Sequence, residues 1–357
     1  MTWSPLPDAP PFPADGYAPL ADSIGRILGT ANDVLLIQGE AVVALEAVAT
    51  SFGRPGVRAL NIVTSLYGRW LGGWLRRAGA EVTDLVAPPG QPIDADLVRQ
   101  TLAAETFDLV AIVHAESAYG ILNPLAEIVA AAKDAGAITV VDAVASVGGH
   151  PLDLDALGVD IAVIGPQKAL GGQAGVSAIS VSDRAWDSVN PQGEAPSILS
   201  LTDQKALWID QGRGALPGTP SALEFHALAA TLQRVENMGI PALIRQHGKA
   251  AHAARAGVLA LMGRNWTPPS KASNLVTAAP LPNDIPAPAL LTHLRPGSAL
   301  TAGVGPEGAR LIRLNHTGAR ATLPTVLEDL TDLAHGLRRM GHDVAAEYLA
   351  EAIAAST

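Results

Sequence analysis

Short runs rich in valine, isoleucine and leucine recur along the first half of the chain, separated by longer stretches in which apolar residues return at i, i+3 and i+4. The runs are 33–37, 57–63, 81–86, 108–114, 138–142, 160–164 and 177–181. Each is short enough for a strand and rich in β-branched residues, and most end at Gly, Pro or Asp. The intervening stretches, such as 41–52, 69–78 and 124–135, carry helical periodicity. Several runs, for example Ile161-Ala162-Val163-Ile164, are apolar throughout, the mark of a strand buried on both faces. The alternation predicts an α/β fold: a mainly parallel seven-stranded sheet with helices on both faces.

After Ser221 the pattern changes. Two long helical stretches, 221–238 and 241–262, lead into a proline-rich segment containing Pro268, Pro269, Pro280, Pro282, Pro286 and Pro288. A mixed tail follows, with a strand at 310–314 and helices at 324–339 and 344–354. We therefore expect an N-terminal arm over 1–20, a large α/β domain over 21–264 and a smaller C-terminal α/β domain over 265–357.

Composition narrows the function classes. Of 357 residues, 48% are hydrophobic and only 16% charged, against roughly 25% charged in an average soluble protein. The net charge of -10 argues against nucleic acid and anionic membrane surfaces as partners and for small-molecule ligands. The absence of cysteine removes disulfides, thiolate metal sites and cysteine nucleophiles. The first twenty residues have neither a basic start nor a continuous apolar core, and no stretch reaches the ~18 apolar residues of a membrane span. A cytoplasmic location is the expectation. His247 and His252 lie five positions apart and diverge around a helix, so they read as structural or exposed, and no metal is expected.

In parallel sheets, ligands sit beyond the carboxyl ends of the strands. Three predicted strand ends carry unusual chemistry: the run His114-Ala115-Glu116-Ser117, then Asp142, then Lys168 in GPQKALGG. A buried lysine has its pKa lowered toward nucleophilic and proton-shuttling work, and a carboxylate nearby can hold a heteroaromatic nitrogen protonated. The D-A-V-A-S run at Asp142 and the G-P-Q-K-A-L run at Lys168, one helix-and-strand unit apart, resemble the class V aminotransferases of fold type I, within them the alanine:glyoxylate and serine:glyoxylate group. The similarity extends from Gln38-Gly39-Glu40 to Arg313-Leu314-Asn315-His316.

That resemblance implies a vitamin B6 enzyme in which Lys168 holds the aldehyde as an imine and shuttles a proton, with Asp142 on the pyridine nitrogen. It implies that Tyr67 and Val144 sandwich the ring, that Ser117 lies near the phenolic oxygen, and that Gln167 precedes the lysine at the site. Arg313 matches the residue that grips the carboxylate of a 2-oxo acid, by a fork suited to paired charge-assisted bonds. Thr219, in LPGTPS, matches a loop that enters the partner subunit's site, which implies a homodimer or higher homo-oligomer with shared sites. Two departures stand out: Asn315 replaces a usual glycine, and Gly303-Val304-Gly305 lacks a second arginine.

The start of the helix after the first strand raises a further question. A cofactor phosphate is held by backbone N-H groups at a helix N-terminus, and here that place reads Gly39-Glu40-Ala41, with an acid and no hydroxyl. The competing structural reading is that an acid in a first helical turn is favourable in itself. The run QGEAVVALEAVATS with LYGRWLGGW is similar to the branch of the family that takes unphosphorylated vitamin B6 as a substrate, pyridoxamine giving its amine to pyruvate. The resemblance thus implies an aminotransferase leaning to that reaction. The alternative is transfer from alanine or serine to glyoxylate or pyruvate on permanently bound pyridoxal 5'-phosphate.

Overall fold

The computed structural model describes residues 9–189 and 197–356; Met1–Asp8, the start of the expected arm, lie outside them. All seven predicted strands form. They are β1 (Asp33–Gln38), β2 (Arg58–Val63), β3 (Glu81–Val86), β4 (Leu109–Val113), β7 (Ile138–Asp142), β8 (Ile161–Ile164) and β9 (Val176–Val181), with a two-residue hairpin, β5 (Ala115–Glu116) and β6 (Ile121–Leu122), following β4. They join in one sheet in the order β1-β9-β8-β7-β4-β2-β3. β9 pairs antiparallel with both its neighbours, and every other pairing is parallel.

The physical reason lies in the side chains. β4, β7 and β8 are buried at every position, so both faces need apolar residues and helices must cover both. At the edge, β3 reads EVTDLV with most positions exposed; its charges suit a strand with one open side. Helix Tyr17–Leu28 begins inside the expected arm and packs through Tyr17 and Leu20, with Tyr17 set edge-on against Phe225.

A second sheet, in the order β10 (Val276–Pro280), β12 (Leu311–Asn315), β11 (Thr301–Ala302), is antiparallel. Its core draws on Leu314, Leu330 and Leu333, and on Ala250, Ala254 and Val258 of the long helix Ile240–Met262. The same helix gives Leu243 to the first core. Two element ends differ from expectation. The helix expected at 69–78 starts earlier, at Leu66, because Ser65 caps it. The last helix starts only at Tyr348, while Val344 packs against the second core upstream of it. Among the described residues, no helix is long and apolar enough to cross a membrane.

Candidate active site

Five parallel strands, β1, β2, β4, β7 and β8, end on the same side of the sheet, and their first loop residues meet in one cleft. Glu40, Ala41, Tyr67, Ser117, Asp142, Val144 and Lys168 line it, with Val42, Leu45, Val113, Ala115 and Ala145. Seven of the eleven residues singled out from sequence therefore share one wall-to-wall space. The rest stand around it. Gln167 lies behind Glu40, Gly39 opens the turn below it, Arg313 reaches over Ser117, and Thr219 is exposed on a loop outside.

Asp142 ends β7, buried, and its Oδ1 accepts the Val144 N-H at 3.0 Å. That bond fixes the carboxyl of a residue that lines the cleft. Burial pushes its pKa up to about 6, against the opposing pull of the Val144 N-H and the Lys168 charge. Lys168 follows β8 after Gly165-Pro166-Gln167. Burial pulls its pKa down; Asp142 and Glu40 counter this, and the Arg313 guanidinium adds to it. The pair thus stands with a carboxylate ionised near neutral pH and an amine closer to its neutral form than a surface lysine.

Tyr67 sits in the first turn of the helix Leu66–Ala78. The Ser65 hydroxyl oxygen accepts its N-H at 3.2 Å. Its ring meets Trp70 edge-on at 5.5 Å. Arg313, on β12, donates Nε-H to the Ala302 carbonyl at 3.1 Å and Nη1-H to the Ser117 carbonyl at 3.3 Å. Among the described residues no carboxylate pairs with it. Two backbone carbonyls aim the guanidinium. Val304 and Tyr67 each pack against the buried cluster that holds Tyr119, and the Val304 carbonyl accepts the Tyr119 hydroxyl at 2.8 Å.

Glu40 is the N-cap of the helix Ala41–Phe52. One carboxylate oxygen accepts the Val42 N-H at 2.9 Å; the other accepts the Gln167 side-chain N-H at 2.7 Å. The carboxylate therefore occupies the helix N-terminus itself. Two glycines make this possible. Gly39, at φ 143°, donates its N-H to the Gly175 carbonyl, and a side chain there would strike Val43. Gly165 lets the Gln167 amide fold close: a Cβ at 165 would stand 2.2 Å from Gln167 Oε1. The Thr219 loop is tied to the same turn, since Gln38 bonds Pro217 and Ser221 on either side of it.

Sequence reasoning passed over Glu116 as a residue with a role of its own, although its run stood out as a strand end. It is fully buried, and its carboxyl bonds the hydroxyls of Thr64 and Ser65. The only signal was its place beside Ser117, as the last residue of the short strand before it. Of the two histidines judged structural or exposed, His247 is buried between the Leu243 carbonyl and the Gly318 N-H, and His252 is exposed.

Comparison with known proteins places this geometry in context. Residues 17–300 match the family model described as aminotransferase class-V. The chain is 32% identical to a pyridoxamine--pyruvate transaminase of Mesorhizobium japonicum, covering 92% of this chain and 85% of the relative. It is 28% identical to an alanine--glyoxylate aminotransferase of Callithrix jacchus, covering 86% and 76%. The crystal structure of pyridoxamine-pyruvate aminotransferase from Mesorhizobium loti superposes with a TM-score of 0.88 at 31% identity, covering 96% of this chain and 88% of that one.

Proposed function

The chain belongs to the class-V aminotransferases, and from that premise we propose that it transfers the amino group of free pyridoxamine to pyruvate, with the unphosphorylated vitamin bound as substrate. The observation that carries this reading is the Glu40 carboxylate seated on the N-terminus of the helix Ala41–Phe52, both of its oxygens engaged. A phosphate held by that terminus needs the Val42 N-H and finds it taken by an anion. The phosphorylated vitamin does not fit there. A hydroxymethyl group does, because it is neutral and can donate a hydrogen bond to the carboxylate.

The pyridine ring of the bound vitamin, protonated at nitrogen, supplies the electron withdrawal that lets the neighbouring carbon lose a proton. The protein supplies the rest. Asp142, its Oδ1 held by Val144, keeps a negative charge against the ring nitrogen. Lys168, its amine kept toward the neutral form by burial, would carry the proton from the carbon that bears the pyridoxamine amine to the carbon of the acceptor, and would hold the aldehyde that pyridoxamine becomes. Tyr67 and Val144 hold the two ring faces and Ser117 stands by the phenolic oxygen. Gln167 holds Glu40, and Gly39 and Ala41 shape the turn. Arg313, aimed by the Ala302 and Ser117 carbonyls, takes the carboxylate of the 2-oxo acid. On the same premise the enzyme is a cytoplasmic homodimer in which the exposed Thr219 loop extends to the second copy's site.

The test is a pair of absorption titrations on protein prepared without added vitamin, one with pyridoxal and one with pyridoxal 5'-phosphate, each repeated on Lys168→Ala. The expected result is tighter capture of pyridoxal, lost in the variant. Tighter capture of the phosphate ester overturns the substrate reading and returns the chain to amine transfer on a permanently bound cofactor. Unchanged capture by Lys168→Ala removes the lysine from its role.

A further inference from the structure

We propose that Glu116 is a positioning residue for the ring site: through Ser65 it sets where Tyr67 stands. The inference rests on the assignment of the cleft to vitamin B6 and not on which vitamer is bound. Ala115 and Glu116 are the two residues of β5, so their side chains leave on opposite sides, and Ala115 lines the cleft. Ser117 lines the cleft, and Glu116 points into the interior with no exposed surface.

There the Glu116 carboxyl joins two loops. Oε1 accepts the Thr64 hydroxyl at 3.2 Å, and Oε2 is bonded to the Ser65 hydroxyl. Thr64 is fixed in turn by the Asn123 side-chain amide at 3.0 Å; that amide also donates to the Val113 carbonyl at 2.8 Å, and its oxygen accepts the Ile93 N-H. Ser65 passes the constraint on, since its oxygen accepts the Tyr67 N-H. A continuous chain of bonds therefore runs from β4 through Glu116 to the first turn of the helix that carries Tyr67. Such a buried network specifies one geometry only while every member is satisfied.

The protonation state of Glu116 follows from its surroundings. Among the described residues, no cation pairs with it. The ionisable groups that face it are Asp142, from the end of β7, and Tyr119, on its own hairpin, beyond which Arg69 faces Tyr119 from the helix Leu66–Ala78. Burial, aided by the Asp142 charge, pushes its pKa up to about 8. That shift favours the protonated carboxyl, against the opposing pull of the Ser65 and Thr64 hydroxyls. The Ser65 and Thr64 hydroxyls both donate to its carboxyl, and the Ser65 oxygen accepts the Tyr67 N-H. Loss of the proton puts a second negative charge beside Asp142 in a dry site and tightens the two hydroxyl bonds.

The experiment compares Glu116→Gln, Glu116→Ala and wild type by pyridoxal titration at pH 7 and by the absorption and circular dichroism of bound pyridoxal from pH 6.5 to 9.5. The glutamine has nearly the same shape, keeps one acceptor oxygen and has no proton to lose. It is expected to bind pyridoxal within about threefold of wild type and to lack a spectral step near pH 8 that wild type shows. The alanine variant is expected to bind at least tenfold more weakly, because two buried hydroxyls lose their partner. Wild-type affinity in a folded Glu116→Ala protein overturns the proposal. If that variant does not fold, the glutamine variant decides: an alkaline step identical to wild type overturns it. Wild type that captures no vitamer refutes the site assignment instead, so the two failures are distinct.

Discussion

Replacing Glu40 by serine tests the reasoning about the helix N-terminus most sharply. Serine is itself a good N-cap, so the helix Ala41–Phe52 keeps its first bond while the charge and the reach to Gln167 disappear. With the carboxylate present, a doubly charged phosphate on the same N-H groups lies about 5 Å from it. The repulsion is roughly 2 kcal/mol at the dielectric constant of water and roughly 7 kcal/mol at an effective value of 20. The helix terminus returns only about 1 kcal/mol. Removing the charge should thus strengthen binding of pyridoxal 5'-phosphate by at least tenfold, taking the lower figure and about 1.4 kcal/mol per tenfold. Pyridoxal should weaken by about tenfold, as its hydroxymethyl group loses a hydrogen bond to a charged acceptor. The ratio of the two dissociation constants, read by absorption titration at fixed ionic strength, should shift by about a hundredfold or more. A shift below about threefold in a folded Glu40→Ser protein refutes the claim that this carboxylate decides between the vitamers.

Two further outcomes follow from the same geometry. Arg313→Lys keeps a charge but loses the planar fork, and Val304 offers no second cation, so KM for pyruvate should rise by about 10- to 100-fold in steady-state assays with smaller change in kcat; an unchanged KM places the acceptor elsewhere. Stability should fall with acid between pH 6.5 and 5, read as the urea midpoint. Burial depresses His114 to about 4 and His150 and His316 to about 3, and lowers His247 as well. Below pH 6.5 the unfolded histidines take up protons the folded ones refuse, at about 1.4 kcal/mol per pH unit each. Glu116 and Asp142, whose folded pKa values are raised, act in the opposite sense, since the folded chain holds their protons where the unfolded chain has lost them. The histidines outnumber the carboxyls, and a midpoint that rises toward pH 5 contradicts this accounting.

Strand by strand, the periodicity of the chain located the large sheet, because buried parallel strands need apolar residues on both faces and few other arrangements tolerate runs such as Leu109–Val113 or Ile161–Ile164. The places of Asp142 and Lys168 at strand ends were legible for the same reason. A strand end is a sequence feature, and in such sheets strand ends are where ligands meet. That Glu40 is an acid at the start of a helix was equally plain.

Which way Glu40 points was not. The sequence allowed a carboxylate turned to solvent, and its position was decided by Gln167, 127 positions away, whose amide lies where a side chain at 165 would stand. Nor did the sequence reveal that Glu116 is dry. Burial is a property of what the rest of the chain packs around a residue: here Thr64 and Ser65 come from the end of β2 and Asn123 follows β6. Local periodicity therefore determined the elements and the edge on which the chemistry lies. Only the tertiary structure set the orientations, hydrogen-bond partners and proton affinities of the side chains on that edge, because those depend on residues that the chain brings together from far apart.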